Sequence, residues 1–234
     1  MKEVTDLTVT QVRVFAVDVV PLSKINTKSC IERIRGDLSV SQIESTPFIE
    51  GIGPIIFLRG EIKEGNRIIV INRIVVDPRR IILEVVGTSK EANQVYDVLL
   101  SSIDSAADID SGKLRVPLLI AETTQCVATL DFHFESLFDN SFIELLNSRV
   151  KKEATSKRAK GSVRPLAVEV EISYEIKDEI LIENRISMTP KKFVIAPRAG
   201  APSEARRYFL SSPFDSDTHL KLVRALEETV SKTS

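Results

Sequence analysis

The chain has 234 residues, 43% of them hydrophobic and 28% charged, with a formal net charge of −1. That balance fits one large globular domain or two small ones, and it excludes a global attraction to nucleic acid or to an anionic membrane. Cys30 and Cys126 are too few for a disulfide framework, and no CxxC or histidine-rich spacing suggests zinc, so a reducing, cytoplasmic setting is expected. The opening Met1-Lys2-Glu3-Val4-Thr5-Asp6 lacks a signal-peptide core, and no apolar run reaches membrane-spanning length, so no membrane association is expected.

In chain order, residues 8–20 are rich in β-branched side chains and predict a long strand. Asn26 or Thr27 can cap a helix running to Arg35 and closed by Gly36. A polar connection over 37–52, with room for a minor strand, leads to three strands at 54–62, 67–76 and 80–87. Glu64-Gly65-Asn66 and Asp77-Pro78 supply the turns between them. Thr88-x-x-Glu91 is a capping box, opening a helix that carries Ala92, Val95, Tyr96, Leu99, Leu100 and Ile103 at helical spacing.

The small, polar stretch from Asp104 to Lys113 is a natural boundary, dividing an N-terminal repeat (1–107) from a C-terminal repeat (108–234) with an added C-terminal helix. Beyond it the order recurs: a strand from Gln125 to Glu135, a helix from Asn140 to Val150, and strands at 165–176, 179–189 and 191–196. A short helix or turn near 203–210 and a helix from Ser216 to Ser231 close the chain. Glu61-Ile62-Lys63 with Asn72-Arg73-Ile74 and Pro78-Arg79-Arg80 is echoed by Glu175-Ile176-Lys177, Asn184-Arg185-Ile186 and Pro190-Lys191-Lys192. The offset is 114 at the first triplet (175 − 61) and 112 at the second (184 − 72). The expected fold class is therefore α+β, an internal duplication of a β-α-β-β-β-α unit with antiparallel meander sheets and helices packed on one face.

Strand alternation places Asn72 in an apolar row with Ile68, Val70, Ile74 and Val76, and Asn184 in a matching row with Ile180, Ile182, Ile186 and Met188. The opposite face of repeat one is also apolar, through Phe15, Val17, Ile55, Phe57, Ile69 and Ile71. In repeat two that face carries Asp131, His133, Glu169, Glu171 and Glu183. A sheet apolar on both faces must be covered, by its own chain or by a second subunit. The expected function is thus a non-enzymatic binding protein that self-associates, or meets a protein partner, through the apolar outer face of repeat one. An alternative is a nucleic-acid-associated protein using Arg79, Arg80, Lys151, Lys152, Lys157, Arg158, Lys160, Lys191 and Lys192 as anion contacts. Another is a small-ligand pocket or an unrecognised enzyme site between sheet and C-terminal helix. No catalytic, metal-binding or cofactor motif stands out: Gly51-Ile52-Gly53 lacks its third glycine, His133 stands between Asp131 and Glu135 at a spacing acceptable for a weak metal or acid–base site but reads as part of a solvated strand face, and His219 has no evident partner.

The tandem units, and the strand 80–87 running into Gly87-Thr88-Ser89-Lys90-Glu91-Ala92, resemble the TATA-box-binding-protein fold. That resemblance implies one continuous curved sheet with helices on its convex side and an open face gripping DNA, where Phe15 and Phe57 would serve as wedges. Asp131, Glu169, Glu171 and Glu183 oppose that use, since they would set like charge against phosphate. Relatives of the same fold curl a sheet around a long helix in a helix-grip manner, a part open to the C-terminal helix.

Overall fold

The computed structural model describes residues 1–48, 51–107, 111–138, 140–156, 160 and 162–233, with backbone alone for 45–48, 51–52, 107, 140, 155–156 and 233. The strands are β1 (Glu3–Val14), β2 (Gln42–Phe48), β3 (Gly51–Glu64), β4 (Arg67–Val76), β5 (Arg80–Val86), β6 (Leu119–Thr129), β7 (Val168–Ile172), β8 (Lys191–Pro197) and β9 (Arg207–Ser212). The α-helices are α1 (Leu22–Ile25), α2 (Lys28–Asp37), α3 (Ser89–Ala107), α4 (Asn140–Ser156), α5 (Glu179–Glu183) and α6 (Ser216–Thr233). All described strands join one antiparallel sheet in the order β2-β3-β4-β5-β1-β6-β9-β8-β7. The class is α+β. Outward from the central β1–β6 pair, the strands run β5, β4, β3, β2 on one side and β9, β8, β7 on the other. In each half the first strand is central and the last strand lies beside it.

Helices α2 and α3 cover the first half. The predicted apolar stripe of α3, from Ala92 to Ile103, is buried in full against Val9, Ile81, Leu83 and Val85. Thr27 caps α2 by accepting from the Cys30 N–H at 3.4 Å. In the second half, Val223 and Val230 of α6 pack on Cys126, Ala128, Ile195, Tyr208 and Leu210. Gln11 and Glu122 are directly opposed on β1 and β6 and hydrogen-bonded to each other, so α3 and α6 occupy one and the same face.

Strand phase departs from simple alternation, and this corrects the expected interface. Phe15, Ile55, Phe57, Ile69 and Ile71 are buried beneath the chain's own helices and offer no surface to a partner or to DNA; of the six, only Val17 is exposed, at 60%. The row containing Ile68 and Val70 faces solvent instead, at 52% and 43% exposure. The cause is local. Arg59 takes a left-handed backbone (φ 56°) and the β4–β5 register slips between Ile71 and Arg73. Buried positions therefore run 55, 57, then 60, 62 on β3, and 69, 71, then 74, 76 on β4. A bulge adds one residue to a strand of period two, so every side chain beyond it changes face. Asn72 stands at the bulge and donates to Glu84 Oε1 at 3.3 Å, not within an apolar row.

The second half differs more. Glu175-Ile176-Lys177 is coil, and Asn184 is the C-cap of the one-turn helix α5, so these two triplets do not repeat their first-half structure, whereas Pro190-Lys191-Lys192 opens β8 much as Pro78-Arg79-Arg80 opens β5. The 179–189 strand is replaced by α5 and coil because Asp178 caps a helical turn, accepting from the Leu181 N–H at 3.2 Å. The Gln125–Glu135 strand is shifted to Leu119–Thr129, and His133 leads into a 3₁₀ turn at Phe134–Leu137. The 203–210 segment opens with the expected short helix, a 3₁₀ turn at Ser203–Ala205, and then enters β9, whose Tyr208 and Leu210 alternate into the core. No helix among the described residues is long and apolar enough to cross a membrane.

Candidate functional site

The halves meet along β1 and β6, and a cleft with a volume of about 710 Å³ opens there. Its floor is the sheet face opposite α3 and α6: Val12 and Val14 of β1 beside Leu119 and Ala121 of β6. One wall is the β4–β5 turn, Asp77 to Arg80; the opposite wall is the coil from Arg185 to Thr189, with Lys191 at the start of β8. Arg79, Arg80, Arg185 and Lys191 therefore line one apolar-floored space, with Asp77 the single acidic residue.

The turn is built by Asp77. Its Oδ1 accepts from the backbone N–H groups of Arg79 (2.9 Å) and Arg80 (2.7 Å), while its Oδ2 accepts from Arg80 Nε at 2.8 Å. An aspartate before Pro78 makes such a turn readily, because its short carboxylate reaches the amides two and three residues ahead. Asp77 is thereby occupied by Arg80, which leaves the positive charge of Arg79, Arg185 and Lys191 in excess. Arg79 Nη2 donates to the Asn184 carbonyl at 2.7 Å, while its Nε is buried with no hydrogen-bond partner among the described residues. A buried guanidinium donor without an acceptor costs free energy that an incoming anion can recover.

A second, connected space of about 470 Å³ lies around the edge of β6. Ala121, Met188 and Lys191 line both spaces. This second space is bordered on the helix face by Ser89, Asn93, Glu122 and Asp215, and by Tyr174 and Phe214. Behind it is a polar network. Arg13 donates to Gln11 Oε1 (2.8 Å) and Asn93 Oδ1 (2.6 Å), with its guanidinium 3.7 Å from the Tyr96 ring centroid. Gln11 donates to Glu122 Oε1 (2.5 Å), and Ser89 Oγ donates to Glu122 Oε2 (2.7 Å). Burial lowers the Arg13 pKa, opposed by its neighbours Tyr96, Asp97 and Glu122, and pushes the Tyr96 phenol up to about 12. A network this fully paired holds its elements in one register.

Of the expected anion contacts, Arg79, Arg80 and Lys191 come together in the cleft. Lys192 faces away from it and pairs with Glu169 at 2.5 Å. Lys151 and Lys152 lie on the exposed face of α4, Lys160 is exposed beyond it, and Lys157 and Arg158 lie outside the described residues. Arg185 and Met188 were missed because 179–189 reads as a strand; the signal for a different structure was Asp178 preceding Glu179, a helix-start pattern.

One buried cluster brings together the residue types of catalytic machinery. His219 Nδ1 is 2.7 Å from Ser212 Oγ, and its Nε2 is 3.3 Å from Cys126 Sγ. Burial pushes the thiol up to about 11 and the imidazole down to about 4, so a thiolate–imidazolium pair does not form. All three residues are buried, and none lines the cleft. His219 thus has partners, and they are structural. Among the described residues no group of three or more His, Cys, Asp or Glu side chains is arranged to hold a metal. No family model, no curated protein and no solved structure matches this chain.

Proposed function

We propose that this chain is a non-enzymatic binding protein whose central cleft holds a small organic anion with an aliphatic body. One observation carries the reading: four cationic side chains from two segments far apart in sequence, 79–80 and 185–191, converge on an apolar floor, and one of them has an unpartnered buried donor. A volume of about 710 Å³ suits a small-molecule site. The lining of Val, Leu, Ile, Met and Pro contains no aromatic ring, which disfavours a base-stacked nucleotide and favours an aliphatic carboxylate or phosphate ester. We read the halves as two copies of one unit, supported by the mirrored strand order, with the ligand held where they join. Titration calorimetry with 4-methylpentanoate and its phosphate-bearing analogue tests the reading. Saturable binding that weakens about tenfold in Arg79→Gln supports it, a step of about 1.4 kcal/mol. No saturable binding of either anion by the folded protein overturns it.

A second reading is association with a protein partner or a second copy through the second half. It is favoured by the exposed Phe142 and Leu145 of α4 and Ile180 and Ile182 of α5. Light scattering on a Phe142→Glu, Leu145→Glu variant checks it; a mass unchanged from a wild-type monomer removes it.

A further inference from the structure

The cleft continues into a gap in the sheet itself. β9 pairs with β6 only from Thr129 to Thr124, and with β8 only from Pro197 to Val194. Past Ser212 the chain leaves the sheet at Pro213, which has no N–H to donate, and Phe214 turns away so that its carbonyl accepts from Thr124 Oγ1 at 2.8 Å. β6 nevertheless continues back to Leu119, and β8 back to Lys191. Residues Leu119–Thr123 of β6 thus have a strand partner on the β1 side and none on the β9 side among the described residues. Continuing the two registers past Ser212 sets Lys192 and Lys191 of β8 level with Thr123 and Glu122, so with strands about 4.8 Å apart β6 and β8 border a slot roughly 10 Å across there, the width of one missing strand, and β6 alone edges it from Ala121 to Leu119.

The two ends of the slot carry opposite charge. A strand continuing the line of β9 runs antiparallel to β6, starting opposite Thr123 and ending opposite Leu119. Its beginning lies by Glu122 and Asp215, with Lys191 level with Glu122, and its end lies by Arg79 and Arg185. That polarity matches a free peptide, which carries an ammonium at its start and a carboxylate at its end. We infer that the ligand class is a short extended peptide of three to five residues with free termini, added to the open edge of β6, its C-terminal carboxylate among the cleft cations. Backbone hydrogen bonds to the β6 edge supply affinity, and alternate side chains fall on the apolar floor at Val14 and Leu119. The inference rests on the anion-binding reading of the same cleft and names its ligand.

The test uses the full chain, immobilised, with a pooled library of tetrapeptides read by mass spectrometry. The expected result is at least tenfold enrichment of the free-carboxylate pool over the C-amidated pool, and a severalfold preference for free over acetylated N-termini. N-methylation of the amides that face β6 in a retained peptide is expected to lower its affinity at least tenfold. Equal retention of free and amidated pools, or N-methylation without effect, overturns the inference. If 4-methylpentanoate binds while no peptide binds more tightly than it does, the peptide class fails and the anion site stands; if neither binds, both fall.

Discussion

Ser89 and Ser216 cap each other across the centre of the molecule. The Ser89 N–H donates to Ser216 Oγ at 3.0 Å, and the Ser216 N–H donates to Ser89 Oγ at 2.9 Å. Each serine is the first residue of its helix, α3 or α6, so each hydroxyl satisfies an orphan donor of the other helix. The two positive helix ends also meet beside Glu122, which accepts from Ser89 Oγ at 2.7 Å. The halves are thus joined at their helix starts as well as along β1 and β6.

Either serine replaced by alanine is expected to lower stability by about 1 kcal/mol, the usual worth of a helix-start hydroxyl. Each variant removes a different one of the two bonds, so the double variant is expected to cost about the sum. Urea unfolding of the two singles and the double checks this; a double costing clearly less than the sum would show that one bond depends on the other.

His219 makes stability depend on acid. Burial lowers its pKa from 6.5 to about 4, so the unfolded chain takes up a proton at a pH where the folded chain stays neutral. The stabilisation is complete above pH 6.5 and is lost as pH falls towards 4, a span worth roughly 3 kcal/mol. Melting temperature is expected to fall over that range, and the fall should be shallower in His219→Gln. A slope identical in both proteins would assign the acid sensitivity to other groups.

Gly60 allows β3 to pass under the loop before it. A Cβ built there would sit 2.7 Å from the Leu38 carbonyl oxygen and 3.2 Å from Val40 Cγ2, and that same carbonyl accepts from the Glu61 N–H at 2.9 Å. Gly60→Ala must therefore displace backbone, and a loss of about 2 kcal/mol or more is expected. Chemical denaturation measures it, with Gly36→Ala as the contrast, since nothing lies within 4 Å of the Cβ at that site.

Asp77 shapes the cationic wall without being part of the ligand contact. Asp77→Ala removes three acceptor contacts to Arg79 and Arg80 and is expected to cost about 1–2 kcal/mol in stability. Affinity for 4-methylpentanoate should also fall severalfold as the turn loosens, and calorimetry on the folded variant reads this directly. An unchanged affinity would show that Arg79 and Arg80 do not depend on the turn for their placement.

How much was legible follows from what each pattern reports. The stripe of α3 was read residue by residue, because a period near 3.6 with a capping box has no competing explanation over so many residues. The strands β3 and β4 were located, yet their faces were assigned the wrong way. Period-two alternation carries no record of a bulge, and the bulge at Arg59 and Asn72 depends on pairing with strands distant in sequence. The consecutive Ile180-Leu181-Ile182 fits either a buried strand or a helical turn, and only the cap at Asp178 separated them. Of the cleft, Arg79, Arg80 and Lys191 were visible as charged turns, whereas Arg185 and the apolar floor were not.

By itself, the amino-acid order determined the α+β class, the capped helices α3 and α6, and the strands β3, β4 and β5, all of which rest on local periodicity and turn chemistry. Only the tertiary structure decided which sheet face is covered, that β9 stops one strand short at Pro213, and that cations from both halves share a cleft. Each of these depends on pairing between residues tens of positions apart. A local pattern fixes which way a side chain points along its own strand, but not what the neighbouring strand brings to meet it.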